Sequence, residues 1–154
     1  MKSAATEFTG VLLADDDPDD RFLFEDALKE IQLGVRLQMV KDGEELMHYL
    51  LASAVVLPDV LFLDLNMPFK NGVRCLEEIR GNSLLHSIFI VIYSTTASQR
   101  EIDEVYEKGA NLFVKKPNSF SELKDILSDV FRLDRQEYVS AAQRDRFVFR
   151  HPAG

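Results

Sequence analysis

The sequence predicts an α/β fold in which helices cover both faces of a parallel sheet. Two observations predict it: short apolar segments alternate with segments whose apolar residues recur at helical spacing, and this unit occurs five times. Continuously apolar strands are typical of parallel sheets that are buried on both faces. The 154 residues suit one domain of this kind. We therefore expect a doubly wound (βα)5 arrangement with right-handed crossovers.

The five predicted strands are short, and the second alternates apolar with polar residues. They occupy residues 10–14, 35–40, 59–64, 88–93 and 112–114. The third strand is apolar between two flanking acids, which is typical of a strand buried on both faces. It is therefore the expected centre of the sheet.

A helix is predicted after each strand because apolar residues recur there three or four positions apart. In chain order the apolar stripes are Phe24, Ala27, Leu28 and Ile31; Leu46, Tyr49 and Leu50; Val73, Leu76 and Ile79; Ile102, Val105 and Tyr106; and Phe120, Leu123, Ile126, Leu127 and Val130. Pro18 suits the first turn of the first helix.

Composition and charge exclude several classes of protein. The net charge of −8 would repel a phosphate backbone, so we expect no nucleic-acid binding. No apolar run approaches the ~20 residues of a membrane span, and the N-terminal residues lead into no signal-like core. A single cysteine, Cys75, allows no internal disulfide and agrees with a reducing compartment. We therefore expect a cytoplasmic protein with no membrane contact.

Polar side chains of definite chemistry follow four of the five predicted strands. In such sheets ligands bind outside the carboxyl ends of the strands. The side chains expected at this edge are Asp15, Asp16, Asp64, Ser94, Thr95, Thr96, Lys115 and Lys116. Neighbouring residues on a strand face opposite sides, so only one of the two lysines can point towards the edge. Either Ser94 or Thr95 could present the hydroxyl.

The first of these edge segments contains five aspartates between residues 15 and 20. Asp15 and Asp16 directly follow the first strand and are expected at the edge. Asp17, Asp19 and Asp20 are expected to start and solvate the first helix, where acids favour the positive end of the helix dipole. Asp17 is close enough to the edge for either role.

Several carboxylates beside a hydroxyl and a lysine indicate a magnesium and phosphoryl site. Carboxylates held close together either take up protons or share a cation. Mg²⁺ binds through one or two carboxylates, a carbonyl and waters, and substrate phosphate completes its shell. A lysine would balance the phosphoryl charge, and a carboxylate can be the nucleophile that forms an aspartyl phosphate. Asp64, alone at the end of the central strand, is the best-placed nucleophile.

These motifs together resemble the receiver domains of two-component response regulators. They are Asp15-Asp16, Leu63-Asp64-Leu65-Asn66-Met67-Pro68 with Gly72 following, Ser94, and Lys116-Pro117. The spacing agrees with the family, since Ser94 lies 30 residues after Asp64 and Lys116 lies 22 after Ser94. The resemblance covers residues 8–131 and implies a flavodoxin-like sheet of strand order 2-1-3-4-5. Within the family the chain is similar to the stand-alone subgroup, some members of which serve bacterial phytochrome kinases.

The resemblance implies that Asp64 accepts a phosphoryl group from the phosphohistidine of a sensor histidine kinase or phosphotransfer protein. Asp16 and Asp64 would bind Mg²⁺ by their carboxylates, Asn66 by its backbone carbonyl, and Asp15 largely through water. The protein would then be a signalling phosphoacceptor rather than an enzyme, with self-catalysed phosphotransfer and autodephosphorylation as its only chemistry.

The remaining matched residues would bind the phosphoryl group or respond to it. Lys116 would pair with the phosphoryl group, and Ser94 would donate a hydrogen bond to it as the following loop moves inward. Phe113 matches the aromatic switch position, although it lacks the hydroxyl of a hydrogen-bonding switch. Thr96 and the side chain of Asn66 match positions that tune hydrolysis of the phosphoryl group.

A phosphatase of haloacid-dehalogenase type is the alternative function, because such enzymes also use a nucleophilic aspartate after a strand. They carry the pattern Asp-x-Asp, whereas Asn66 occupies the general-acid position here, and an asparagine cannot donate and recover that proton. A calcium loop is suggested by Asp15, Asp17, Asp19 and Asp26. It lacks the glycine at its sixth position and a preceding helix.

Residues 132–154 form a C-terminal extension that is too short for a DNA-binding output domain. Its arginines and acids give a net charge of 5 − 3 = +2, from Arg132, Arg135, Arg144, Arg146 and Arg150 against Asp134, Glu137 and Asp145. The run Phe147-Val148-Phe149 could form an edge strand or pack on a partner, and a frayed end is the alternative.

Signalling is expected to proceed through a change of binding surface. The resemblance implies the face formed by the fourth helix, fifth strand and fifth helix, which includes Tyr106, Phe113 and Phe120. A homodimer could form through this face or through the extension. The sequence does not name the downstream protein target.

Overall fold

The computed structural model describes residues 8–52, 55–138 and 141–149 of the chain. One sheet contains β1 (Gly10–Ala14), β2 (Arg36–Val40), β3 (Val60–Leu63), β4 (Phe89–Ser94) and β5 (Leu112–Lys115). The strand order is β2-β1-β3-β4-β5, and all neighbouring strands run parallel. The predicted doubly wound fold and its 2-1-3-4-5 order are therefore confirmed.

Each strand is followed by an α-helix. The helices are α1 (Pro18–Ile31), α2 (Gly43–Leu51), α3 (Gly72–Arg80), α4 (Gln99–Glu107) and α5 (Phe120–Val130). Each helix is capped by a side chain that accepts a hydrogen bond from a backbone N–H of the first turn. The capping residues are, in chain order, Asp17, Asp42, Asn71, Ser98 and Ser119. Such caps satisfy N–H groups that have no partner within the helix. Asp17 is thus a helix cap, which accepts from the Asp19 N–H at 2.8 Å.

The sheet has a separate apolar core on each face, because successive strand residues point in opposite directions. On one face Leu12 and Leu61 pack with buried residues of α2, α3 and α4. On the other face Leu13 and Phe62 pack with buried residues of α1 and α5. The central strands are buried throughout, whereas the outer strand β2 is exposed or half-buried at four of its five positions. This explains the alternating sequence of β2.

The C-terminal extension pairs with the other outer strand. Two short 3-10 helices, Arg135–Tyr138 and Ala141–Arg146, precede residues 147–149. The Phe113 N–H of β5 donates to the Phe147 carbonyl, and the Phe149 N–H donates to the Phe113 carbonyl, both at 2.8 Å. Of the alternatives for this apolar run, which were an edge strand, packing on a partner and a frayed end, the structure shows the first. Residues 147–149 pair with the edge of β5 in the same chain. Arg150 lies outside the described residues.

Phe147 anchors the extension to α4 and β5. Its side chain is buried and meets the Tyr106 ring edge-on at a centroid distance of 5.1 Å. The Phe113 ring lies 6.4 Å from it in a similar orientation. The guanidinium of Arg144 stacks over Tyr106 and pairs with Asp103 on the same helix. The extension thus covers part of the face formed by α4, β5 and α5.

Asp59 fastens β1 to β3 at the amino ends of the strands. Its Oδ2 accepts hydrogen bonds from the Thr9 N–H, the Thr9 hydroxyl and the Gly10 N–H, at 2.7, 2.8 and 2.9 Å. Partial burial acts to raise the pKa of Asp59, but these donors favour the carboxylate and bring the pKa below its ordinary value. The ionised form therefore stabilises the folded state.

We predict that Asp59→Asn lowers the free energy of unfolding at pH 7 by about 1 kcal/mol, since a neutral acceptor oxygen replaces a charged one. A carboxyl whose pKa is lowered by folding stabilises the protein above its unfolded pKa of about 4, and this stabilisation is lost as pH falls through the folded pKa. Urea unfolding of both proteins between pH 7 and pH 3 measures the difference. It should be constant above about pH 5 and should narrow below about pH 4. A pH-independent difference would contradict the assignment.

Candidate functional site

The carboxyl ends of the strands hold the predicted polar residues in one place through backbone hydrogen bonds. The Asp15 N–H donates to the Val40 carbonyl at 3.1 Å, and the Asp64 N–H donates to the Ala14 carbonyl at 3.0 Å. The Lys116 N–H donates to the Ser94 carbonyl at 2.8 Å. Each residue directly after a strand is therefore fixed by the neighbouring strand. This is how the parallel sheet gathers residues that are distant in the sequence.

Three carboxylates lie together at this edge. Oxygen atoms of Asp15, Asp16 and Asp64 are all within 4.8 Å of one another. Asp15 is fully buried and Asp64 nearly so, whereas Asp16 is exposed. Burial is the main cause of a raised pKa at Asp15, which the Lys116 ammonium partly opposes. The donor set, all oxygen and rich in charge, fits a hard divalent cation.

The ammonium of Lys116 lies among carboxylates of three different segments. Its Nζ is 2.8 Å from Asp15 Oδ2, 2.8 Å from Asp20 Oδ2 and 3.5 Å from Asp64 Oδ2. The Tyr93 ring lies beneath it, with its centroid 5.3 Å from Nζ. Burial acts to lower the pKa of Lys116, but the surrounding carboxylates raise it above its ordinary value. Lys116 is therefore a firmly charged cation in this site.

The contact between Lys116 and Asp15 is a buried ion pair of 2.8 Å. In the described part of the chain, Asp15 Oδ2 has no polar partner closer than this ammonium. The other oxygen, Oδ1, accepts from the Asp17 N–H at 3.0 Å. A buried carboxylate oxygen that faces only an ammonium can still bind a metal ion or accept a hydrogen bond from a water molecule.

The structure extends one expectation and settles another. Asp20 was expected to start and solvate α1, and it does lie in the first turn of that helix. Its side chain also contacts Lys116, because the helix begins beside the strand ends. The sequence analysis did not predict this contact. Of the two lysines, Lys116 points into the site and Lys115 is exposed. Sequence reasoning also missed Tyr93, whose position next to Ser94 on β4 gave no separate signal.

The loop between β3 and α3 holds Asp64 against tightly packed backbone. Asp64 Oδ1 accepts from the Asn66 N–H at 3.1 Å, while the Asn66 side chain is exposed. Gly72 begins α3 so close to β3 that a Cβ atom there would lie 2.4 Å from the Asp64 carbonyl oxygen. Gly43 is similarly constrained, since its Cβ would lie 1.8 Å from the Lys70 carbonyl oxygen. Gly72 therefore allows the close approach of α3 to Asp64, and Gly43 allows the close approach of α2 to the loop after β3.

The loop after β4 links Ser94 to the first turn of α4. Ser94 is fully buried, and its Oγ lies 3.4 Å from Thr96 Oγ1 and 3.3 Å from the Thr96 nitrogen. The Thr96 hydroxyl donates to Glu101 Oε1 at 2.9 Å, which also accepts from the Ser98 cap at 3.2 Å. Thr95 is exposed. The pattern Ser98-x-x-Glu101 was the sequence signal for this capping pair, and it was overlooked.

Phe113 lies within β5, three residues before Lys116, and its side chain belongs to the core rather than to the site. It is fully buried on β5 and belongs to the core beneath α4, where it contacts Phe147. Phe113 therefore packs as a core residue and also contacts the C-terminal extension through Phe147. The predicted switch role of Phe113 stays a prediction.

Comparison with known families gives a match over the part of the chain that contains these carboxylates, the hydroxyl and the lysine. The family model of the response regulator receiver domain matches residues 11–128. The chain belongs to this family.

Individual relatives of this receiver agree with the family assignment. Response regulator Rcp1 of Synechocystis sp. is 28% identical over 117 residues, which make up 73% of this chain and 80% of Rcp1. The structure of the phosphorylated cyanobacterial phytochrome response regulator RcpA has a TM-score of 0.75 and 28% identity, over 86% of this chain and 94% of RcpA. The structure of the bacteriophytochrome response regulator AtBRR has a TM-score of 0.68 and 28% identity, over 83% of this chain and 96% of AtBRR.

Membership of this family supports a general role for the chain in signalling. The chain is a receiver domain homologous to single-domain response regulators such as Rcp1, which supports a phosphoacceptor role in two-component signalling. The phosphatase alternative is not favoured. Receiver domains bind a divalent metal ion and interact with histidine kinases or phosphotransfer proteins. In the described residues every helix is too short or too polar to cross a bilayer.

We predict that Gly72→Ala destabilises the receiver by about 1 to 3 kcal/mol, because backbone must shift to admit the new Cβ atom. Gly81→Ala is the matched control. Its Cβ would meet the Glu77 carbonyl oxygen at 3.3 Å, so a small adjustment suffices. Thermal unfolding of the two variants measures the difference. Equal melting temperatures would show that the approach of Gly72 to Asp64 is not tightly constrained.

Proposed function

We propose that Asp64 accepts a phosphoryl group from a phosphohistidine of a sensor histidine kinase or phosphotransfer protein. One Asp64 oxygen attacks phosphorus, the bond from phosphorus to the imidazole nitrogen breaks, and that nitrogen keeps the electron pair and takes up a proton. The observation that carries the proposal is the approach of Lys116 Nζ to Asp64 Oδ2, 3.5 Å, inside a cluster of carboxylates. A fixed cation beside the accepting oxygen is what phosphoryl transfer requires.

We further propose Mg²⁺ as the metal ion of the site. The carboxylates of Asp15, Asp16 and Asp64 and the backbone carbonyl of Asn66 are the proposed ligands, with Asp15 acting largely through water. The close cluster of the three carboxylates, of which Asp15 and Asp64 are buried, supports this choice. When bound, Mg²⁺ would neutralise charge on the phosphoryl oxygens. A manganese-bound form of the relative Rcp1 has been described, with a TM-score of 0.73 and 26% identity.

Lys116 and Ser94 are the proposed phosphoryl-binding residues. The ammonium of Lys116 would pair with a phosphoryl oxygen in place of Asp64 Oδ2. The Ser94 hydroxyl would donate a hydrogen bond to another oxygen, for which it must turn away from Thr96. Asn66 and Thr96 are proposed to tune autodephosphorylation, since both are exposed beside the phosphoacceptor edge.

The proposed switch consists of Ser94 and Phe113. Phe113 has no hydroxyl, so its part in the switch would be a change of packing rather than a hydrogen bond. The contact of Ser94 with Thr96, and of Thr96 with Glu101, supports a response that reaches α4. Phosphorylation would bias two arrangements of the face formed by α4, β5 and α5.

The receiver unit is proposed to comprise residues 8–131, with residues 132–154 as an extension that takes part in contacts between proteins. The packing of Phe147 on Tyr106 and Phe113 supports this division, because the extension already occupies part of the proposed signalling face. A homodimer through this face or through the extension is the proposed assembly. The downstream target would be another protein. We propose a cytoplasmic location, and phytochrome-linked kinases are the first candidates for the phosphodonor, by analogy with RcpA.

Asp64→Asn is expected to abolish phosphorylation. Incubation with Mg²⁺ and acetyl phosphate should add one phosphoryl group to the wild-type chain, which intact-mass spectrometry detects, and none to the variant. An amide has no free carboxylate oxygen to attack phosphorus. Asp145→Asn, an exposed carboxylate of the extension, is the control and should be labelled like the wild type. A label that survives Asp64→Asn would reject the proposed phosphoacceptor.

Phe147→Ala is expected to detach the extension and to weaken self-association, because it removes the buried anchor on α4 and β5. We expect the dimer dissociation constant to rise by at least about tenfold, or about 1.4 kcal/mol. Sedimentation equilibrium measures it, and Phe22→Ala, the same truncation at an exposed position of α1, is the control. If deletion of residues 139–154 changed neither self-association nor phosphotransfer, the role proposed for the extension would be abandoned.

A further inference from the structure

Asp20 contacts the site without belonging to its group of potential metal ligands. It lies in the first turn of α1, and its Oδ2 is 2.8 Å from Lys116 Nζ. The two residues are 96 positions apart in the sequence. Oxygens of Asp15, Asp16 and Asp64 form the close cluster that suits a cation, and Asp20 is outside it. Its carboxylate is therefore not one of the proposed metal ligands.

The other two partners of Lys116 change during the proposed reaction. Asp64 becomes an acyl phosphate, and Asp15 belongs to the group of potential metal ligands. Asp20 undergoes neither change. Lysine has a flexible four-carbon stem, so an ammonium without a constant partner would sample several positions.

We propose that Asp20 is a positioning residue that holds the Lys116 ammonium towards Asp64 from the side of α1. The inference rests on the proposed function of Asp64 and deepens it. Lys116 is held between the Asp20 carboxylate and the Tyr93 ring, at 2.8 and 5.3 Å, so its ammonium stays within reach of Asp64 Oδ2. The ammonium can then exchange Asp64 Oδ2 for a phosphoryl oxygen without leaving its place.

Burial distinguishes this contact from an ordinary surface ion pair. Exposed pairs contribute little because both side chains are solvated and mobile. The Lys116 side chain is only 8% exposed and that of Asp20 is 29% exposed. Asp19 provides the contrast within the same turn. It is exposed, and it forms no ion pair with any lysine or arginine among the described residues.

Three variants test the inference in the full chain with Mg²⁺ and acetyl phosphate. Asp20→Ala removes the acceptor oxygen, and we expect phosphorylation of Asp64 to slow by about tenfold, since misplaced catalytic groups lose this much rate or more. Asp20→Asn keeps an acceptor oxygen in place, and we expect its rate to stay within about threefold of the wild type. Asp19→Ala removes a charge from the same helix turn and should leave the rate unchanged. Circular dichroism establishes that each variant is folded.

A second measurement reads the position of Lys116 without any phosphorylation. In ¹⁵N-labelled protein the Lys116 ammonium should give a signal protected from hydrogen exchange in the wild type and in Asp20→Asn. In Asp20→Ala this signal should broaden or disappear. Lys116→Arg identifies the signal by its loss.

The outcomes separate this inference from the function on which it rests. If the wild-type chain is not phosphorylated, the proposed function fails, and the ammonium signal still decides whether Asp20 positions Lys116. The inference is overturned if Asp20→Ala matches the wild type in rate or in ammonium signal. It is also overturned if Asp19→Ala slows the reaction as much, which would indicate a helix-charge effect. Equal slowing in Asp20→Asn and Asp20→Ala would assign the effect to charge rather than to position and would overturn it as well.

Discussion

The arrangement of carboxylates at the carboxyl ends of the strands depends on the ion pairs that they form with the buried ammonium of Lys116. Asp15 and Asp64 lie side by side almost without solvent, where like charges repel strongly or take up protons. Four carboxylates, those of Asp15, Asp16, Asp20 and Asp64, lie at this edge with one ammonium, so the site carries −4 + 1 = −3 when all are ionised. A divalent cation would reduce this charge to −1. The excess of negative charge at the site therefore favours binding of a cation.

The same lysine ties chemistry at Asp64 to three separate segments. Its side chain contacts the ends of β1 and β3 and the start of α1, and its backbone N–H donates to Ser94 at the end of β4. A new negative group on Asp64 would compete for the ammonium with the carboxylates that now surround it. Phosphorylation of Asp64 would therefore redistribute the partners around this one cation.

The sequence predicted most of the fold because its signals are local. Apolar runs and helical stripes located the five strands and the five α-helices, and the parallel arrangement then placed Asp15, Asp64, Ser94 and Lys116 at one edge. Two features depended on geometry that no local pattern contains. Asp20 reaches Lys116 because of the direction in which α1 leaves β1, and both acids of that turn, Asp19 and Asp20, look alike in the sequence. The docking of Phe147 depends on the path of the chain after α5, which left three alternatives open.

Helix α4 is in contact with the site at one end and with the extension along its side. Glu101 in its first turn holds Thr96, which contacts Ser94, while Asp103 and Tyr106 hold Arg144 and Phe147 of the extension. A packed helix shifts as a unit because close-packed side chains do not deform independently. If the Ser94 hydroxyl turned towards a phosphoryl group, its contact with Thr96 would be lost, and Thr96 could then shift together with Glu101 in the first turn of α4. We infer that Phe147 then packs against a displaced Tyr106, so that this receiver can signal to its extension without a hydroxyl on Phe113.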